Sequence, residues 1–329
     1  MKHLLIMSLV LITSVTIGAN RFDSIHSAEI ESSWRNLGNT AEIKLPSYNK
    51  TLQKAIQKGD PVTIDMGYKN KGGLRTEFTG FVSRVERSIP VSIQCEGYSY
   101  FLKRTNIAKA FKGDTTLKVI VNHILDTVNT SHAVNISLDE TFLPDMTLHN
   151  HRIDNKNAAL ALEDLKEYGL AIYLEGETLF IHLPYARNLP TVSYATDANI
   201  ISVSNLKERS EEDQKLQIVV TGITPDNKSI EAKAGTEGGD TINIKRHDVH
   251  TLSQLQSIAD QELLKYQYEG LDGDFMTFLQ PIIEHSYLAN LTDNRQAPPT
   301  QAVYFVDAVK KSYSTSGGGR RVVEIGIKV

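Results

Sequence analysis

The chain has 329 residues, of which 40% are hydrophobic and 22% charged, and its formal net charge is -4. That is ordinary globular composition with room for roughly two or three domains, and the lack of a basic excess argues against nucleic acid as the main partner. The single cysteine, Cys95, excludes an intrachain disulfide and fits a reducing compartment or indifference to redox.

In chain order, Lys2 and His3 precede an apolar run, Leu4–Val15, broken by Ser8, Thr13 and Ser14. Two readings stand. One is a signal peptide cut after Ala19, although Ile17 occupies a position where a small residue is preferred. The other is a strand over Leu9–Ile17, turning at Gly18–Asn20 into Arg21–Ile25. The run is too short and interrupted for a comfortable membrane span. Ala41, Ile43 and Leu45 then share one strand face. Leu52–Gln57 offers one short helical stretch. Val62, Ile64, Met66 and Tyr68 alternate with Thr63, Asp65 and Gly67, the period of a half-buried strand. Asn70–Gly73 is a turn; Phe78, Gly80 and Val82 mark a second strand; Val91, Ile93 and Cys95 mark a third. Pro90 lies between those two, where a missing N–H is harmless. The whole reads as an antiparallel meander, with Gly67 and Gly80 as points of bulging or close backbone approach.

From Asp114 the period changes. Leu117, Ile120, Val121, Ile124 and Leu125 fall on one helix face, with Asp114 or Thr115 as the cap. Val134–Leu138 is a short strand. Asn157–Tyr168 is a second helix, stopped by Gly169. Leu170–Leu174 and Thr178–Leu183 form a hairpin around Gly176. A second β region follows, with strands at Ile200–Leu206, Leu216–Gly222, Ser229–Lys233 and Thr241–Lys245. Lys207–Lys215 is highly charged and reads as a solvated loop or helix tip. Thr251–Tyr266 is a third helix with capping-box spacing at Thr251 and Gln254. Phe275–Leu279, Ser286–Leu291, Ala302–Val309 and Arg321–Val329 return to strands, the last pair flanking a flexible tip at Ser314–Gly319.

Candidate chemistry is sparse. His149 and His151 share a face on an extended segment, and His247 and His250 bracket Asp248, but neither pair has a third ligand at a convincing spacing. Both pairs read as polar loop residues. Glu29 and Glu31 alternate with Ala28 and Ile30 as an outward polar face, and Glu211 and Glu212 sit in the charged loop. A glycosidase needs two carboxylates facing across a cleft, which no sequence spacing can place. No nucleophile frame such as G-x-S-x-G is present. Gly317–Gly319 before Arg320 and Arg321 lacks the G-K-[ST] of a phosphate loop, so it reads as a hairpin turn. Cys95 reads as a small core hydrophobe, and Trp34 as a core aromatic at a barrel edge. No catalytic, cofactor-binding or metal-binding residue is assigned.

Four segments carry a resemblance: Glu29–Pro46 (EIESSWRNLGNTAEIKLP), Gly59–Tyr68 (GDPVTIDMGY), Phe78–Val82 (FTGFV) and Pro90–Gly97 (PVSIQCEG). In pattern and order they resemble the baseplate hub proteins of contractile phage tails, of the late-control D type, and the hub part of type VI secretion spike proteins. Asn157–Leu170 and Gly270–Pro281 fall where hub proteins have matching segments. The resemblance implies a mainly β chain with an α/β insert: a tube-like β-barrel over 1–102, an α/β unit over 103–190, and a second tube-like barrel with one helix over 191–329. It favours the strand reading of Leu9–Ile17. It also implies a non-enzymatic homotrimer whose six tube-like units match a six-fold tail tube. Its partners would be the tube or distal tail ring and a central spike, with no cofactor, nucleic acid or stable membrane insertion. Its place would be the virion baseplate, assembled in the host cytoplasm. Two rivals remain: an exported cell-envelope binding protein with a cleaved leader, and a cell-wall hydrolase using Asp or Glu in the 103–190 insert.

Overall fold

The computed structural model describes residues 10–46, 55–86, 88–187, 189–209, 215–224, 226–264, 266–267, 270–295 and 298–329. Glu211, Glu212, residues 4–9 and the first half of Leu52–Gln57 lie outside the described residues. The first β region holds β1 (Leu11–Ile17), β2 (Asn20–Phe22), β3 (Ser27–Ser33), β4 (Thr40–Leu45), β5 (Pro61–Tyr68), β6 (Gly73–Glu86) and β7 (Val91–Glu96). The middle region holds α1 (Ser99–Leu102), β8 (Asn106–Ala110), β9 (Asp114–Thr116), α2 (Leu117–His132), β10 (Ser137–Asp139), β11 (Thr147–His149), β12 (Arg152–Asn157), α3 (Ala158–Leu165), β13 (Ala171–Glu175) and β14 (Thr178–His182). The last region holds β15 (Thr191–Ala195), β16 (Ile200–Arg209), β17 (Leu216–Ile223), β18 (Ser229–Gly235), β19 (Asp240–Lys245), α4 (Leu252–Leu264), β20 (Gly270–Thr277), β21 (Leu288–Asp293), β22 (Thr300–Ser314) and β23 (Gly318–Lys328).

The protein is mainly β. Its dominant feature is one 13-stranded sheet whose main path runs β16-β20-β23-β22-β3-β4-β7-β6-β5-β1-β2, with β15 and β21 branching from β22. The seam between the two β regions is the antiparallel pair β3–β22, in register from Ser33↔Ala308 to Ser27↔Ser314. The expected two closed barrels are not what the backbone pairings build. Among the described residues these pairings form an open path that closes neither half, because β22 spends one edge on both β21 and β3.

The alternation read from the sequence places the first core. Val62, Ile64, Met66, Phe78, Val82, Val91, Ile93 and Cys95 are all buried in one cluster. Burial pushes the Cys95 thiol up to about 12, which keeps it protonated and inert. β1 pairs with β5 from Leu11↔Tyr68 to Ile17↔Val62, and Val15 and Ile17 are fully buried, so Leu11–Ile17 is a strand of this sheet. Gly67 and Gly80 mark close approach: a Cβ there would lie 1.9 Å from the Gly73 carbonyl oxygen or 2.3 Å from that of Glu96.

The middle core is built on α2, which buries Leu117, Ile120, Val121, Ile124, Leu125 and Val128. The expected cap is corrected. Asp114 and Thr115 belong to β9, paired with β11, and the Asp114 carboxylate goes to His149. Thr116 occupies the cap position and makes no side-chain cap bond. At α3, Asn157 Oδ1 accepts from the Leu160 N–H at 2.9 Å, a side-chain cap. The charged segment from Lys207 is also corrected, since Lys207 to Arg209 continue β16 and pair with β20. β17, β18 and β19 form a separate three-stranded sheet. Their buried residues Ile218, Val220 and Ala232, with Leu255, Ile258 and Ala259 of α4, share the middle core with α2 and α3. Among the described residues no helix is long and apolar enough to cross a membrane.

Candidate functional site: the joint between the β regions

The molecule concentrates its polar chemistry where the β regions and the middle unit meet. Val309 and Lys311 on β22, and Arg321, Val323 and Ile325 on β23, lie in the same strand phase. That phase points inward, so Lys311 and Arg321 are buried with the valines; Arg321 has no exposed surface. Glu77 of β6 meets both: its carboxylate accepts from Lys311 Nζ at 2.9 Å and from Arg321 Nη2 at 3.1 and 3.2 Å. Glu284 accepts from Lys311 at 2.8–2.9 Å, and the Ile283 carbonyl from Arg321 Nη1 at 3.0 Å. Burying two cations is tolerable only with such pairing.

A second cluster surrounds Asp307. Its buried carboxylate accepts from Trp34 Nε1 at 2.8 Å and from Arg35 Nη2 at 2.6 Å. Trp34 packs edge-on against Tyr185 and Phe305, with ring centroids 5.4 and 6.3 Å away. One tryptophan therefore touches the first β region, the middle unit and the second β region together. Nearby, Tyr173 sits at the contact of β13 with the second region. Its hydroxyl lies 3.0 Å from His182 Nε2 and 3.4 Å from Ser286 Oγ, and accepts from Arg187 at 3.0 Å. His285 Nδ1 lies 3.2 Å from Ser286 Oγ. Burial, helped by Lys311 and Arg187, pulls His285 down to about 3, and burial also lowers His182; both imidazoles are neutral near pH 7.

The segment Gly97–Arg104 closes the other side of the joint. Phe81 packs against Tyr98, Tyr100 and Phe101 at 4.6–5.6 Å, and the Arg104 guanidinium lies 3.4 Å over the Tyr100 ring.

The fold treats the sequence candidates unevenly. Glu29 and Glu31 do face outward, bridged by Lys310 from across the seam. Gly317–Gly319 is the β22–β23 hairpin tip, and Arg321 beside it is spent on Glu77. Four carboxylates of the middle unit are tied up in pairs: Asp114 with His149, Glu140 with Lys118, Asp164 with Lys156, and Glu175 with Arg187. His149 and His250, from different candidate pairs, are brought together with ring centroids 4.6 Å apart. His151 lies near Asp248, 3.9 Å away, and His247 stays exposed. Glu77, Lys311 and Arg321 do not stand out as a site in the sequence. The available signal was two cations in the apolar phase of β22 and β23, which demands a buried anion.

With the geometry in place, comparison with solved structures is decisive for the fold. A tail protein from Neisseria meningitidis superposes with a TM-score of 0.71, covering 97% of both chains at 14% identity. The fold is that of a phage tail protein. A 43 kDa tail protein of prophage MuSo2 from Shewanella oneidensis shares this tail-protein fold, with a TM-score of 0.69 at 13% identity over 96% of this chain and 98% of that one. So does an Escherichia coli component of the type VI secretion system, itself described as structurally similar to two bacteriophage T4 tail proteins. There the TM-score is 0.62 at 9% identity, over 96% of this chain and 76% of that one. No protein-family model matches the sequence, and no curated protein matches it significantly. Identity this low leaves the tail-protein fold as the shared property.

Proposed function

We propose that this chain is a structural, non-enzymatic hub of a phage tail or related contractile injection system. In this reading it is a homotrimeric adaptor in the virion baseplate that joins the tail tube to a central spike and is assembled in the host cytoplasm. The observation that carries the reading is the extent of the fold likeness, end to end with phage tail proteins. The three-unit division at 102/103 and 190/191 belongs to the same proposal, with 216–264 as a lobe of the third unit leaning on the second. Each β region acts as a tube-like module, and three copies present six of them to a six-fold tube. The sheet supports this use. Among the described residues its main path ends in β16 on one side and β2 on the other, and an unpaired strand edge is a template for pairing with another chain.

Light scattering of the full-length chain tests the assembly. The expected mass is that of three intact chains, alone or once a tube or spike partner is added. A monomer under every condition overturns the hub reading, as does an amino terminus found cut after Ala19. Turbidity of purified peptidoglycan tests the enzymatic clause; clearing above the buffer control would replace it with a hydrolase.

A further inference from the structure

The two imidazoles at the contact between the middle unit and the β17–α4 lobe form an arrangement that the tail-protein fold does not explain. His149 ends β11, and His250 lies just before α4. The chain around them is pinned, since the His149 N–H donates to the Asp248 carbonyl at 3.1 Å. The rings sit edge to face, with centroids 4.6 Å apart and planes at 70°.

Each ring is tied down through the same nitrogen. His149 Nδ1 is 2.8 Å from Asp114 Oδ1, and His250 Nδ1 meets the Ile223 carbonyl. Both partners are acceptors, so Nδ1 carries a proton in each ring, and the nitrogen that a neutral imidazole leaves free for a ligand is Nε2. A carboxylate or carbonyl on the second nitrogen is the support that metal-binding histidines receive. His250 Nε2 is buried and has no hydrogen-bond partner, an unmet demand that a cation would satisfy. The ring separation of 4.6 Å is near what one shared ion would impose. Two imidazole nitrogens about 2.0–2.1 Å from Zn²⁺ place their ring centroids roughly 5 Å apart.

We propose that His149 and His250 form a two-imidazole site for a borderline divalent cation of the Zn²⁺ class, oriented by Asp114 and the Ile223 carbonyl. Among the described residues no group of three His, Cys, Asp or Glu side chains gathers to hold a metal. Water therefore fills the remaining positions, and the ion binds reversibly rather than as a permanent structural zinc. Bound there, it clamps β11 of the middle unit to the start of α4 and stiffens the lobe against the insert.

The test is Zn²⁺ titration of the tag-free, chelator-treated full chain by calorimetry. One ion per chain at micromolar free Zn²⁺ is expected. His149→Gln and His250→Ala each abolish it, Asp114→Asn weakens it about ten-fold, and the exposed neighbour variant His247→Ala leaves it unchanged. Should a variant misfold, the wild-type chain still decides. Long-range imidazole ¹⁵N spectra should show Zn²⁺ shifting Nε2 of two of the ten histidines. No binding at millimolar Zn²⁺, or binding that survives loss of both imidazoles, or spectra in which other histidines respond, overturns the proposal.

Discussion

The two β regions use the same architecture with opposite chain economy. The first is contiguous: β1 to β7 follow one another, and the buried residues of their core are their own apart from Leu279, with Phe278 and Tyr313 of the second region packed against it. The second is interrupted between β16 and β20 by a lobe whose buried residues belong to the middle core. What remains to it is a smaller core around Tyr194, Phe275, Val306, Val309, Val323 and Ile325, with Lys311 and Arg321 buried beside it. The anion between those two cations, Glu77, comes from the first region. The difference teaches that the first region supplies most of its own apolar core, whereas the second has a smaller one and leans more on the seam, where charge balance is shared between the two.

The sharpest way to break that comparison is to remove the shared anion. Glu77→Gln leaves Lys311 with Glu284 and Arg321 with the Ile283 carbonyl. It should cost about 3–5 kcal/mol in urea unfolding, and hydrogen exchange should accelerate at Val309 and Val323 well before Ile64. Equal acceleration in both regions would show that they do not differ in dependence. Replacing Glu77, Lys311 and Arg321 together by apolar residues should recover most of the loss.

Acid probes the same asymmetry more gently. His285 and His182 are held below their unfolded value of 6.5. Below pH 6.5 the unfolded chain therefore binds protons that the folded joint refuses, so stability present at neutral pH falls as pH drops toward 3. The loss from His285, which faces Lys311, Arg187, His182 and Glu175, is about 1.4 kcal/mol per pH unit. Trp34 lies at this joint, so its fluorescence should report the transition. His285→Gln should flatten the slope; an unchanged slope would place the sensitivity elsewhere.

The smallest effect is expected at the solvent side of the seam. Lys310 bridges Glu29 and Glu31, but its side chain is 43% exposed. Lys310→Ala should cost at most about 1 kcal/mol and be masked by salt. A larger, salt-resistant loss would mean the surface ion pair, rather than the buried one, holds the two regions together.

The contrast also governs what the sequence discloses. Val62-x-Ile64-x-Met66 and Val91-x-Ile93-x-Cys95 announce their strands because neighbours in the chain are neighbours in the sheet. The 170–183 hairpin and the apolar faces of α2 and α4 are legible for the same reason. Asp114 misleads because an acidic residue before a helix is a good cap only if nothing else claims it, and His149 does. The pairing of Arg321 with Glu77 spans 244 positions, and no local period encodes it. Likewise His149 and His250 each look like half of a nearby pair, while the fold matches one from each.

The long strand β22 has a mechanical consequence. At 15 residues it reaches roughly 50 Å, and it overlaps β3 along seven registered positions, like a lap joint between two planks. Tension along the strand axis loads every rung of that overlap at once, so the joint resists shear. A pull at right angles peels the rungs one after another. The same seven rungs are therefore strong against one direction of load and weak against the other.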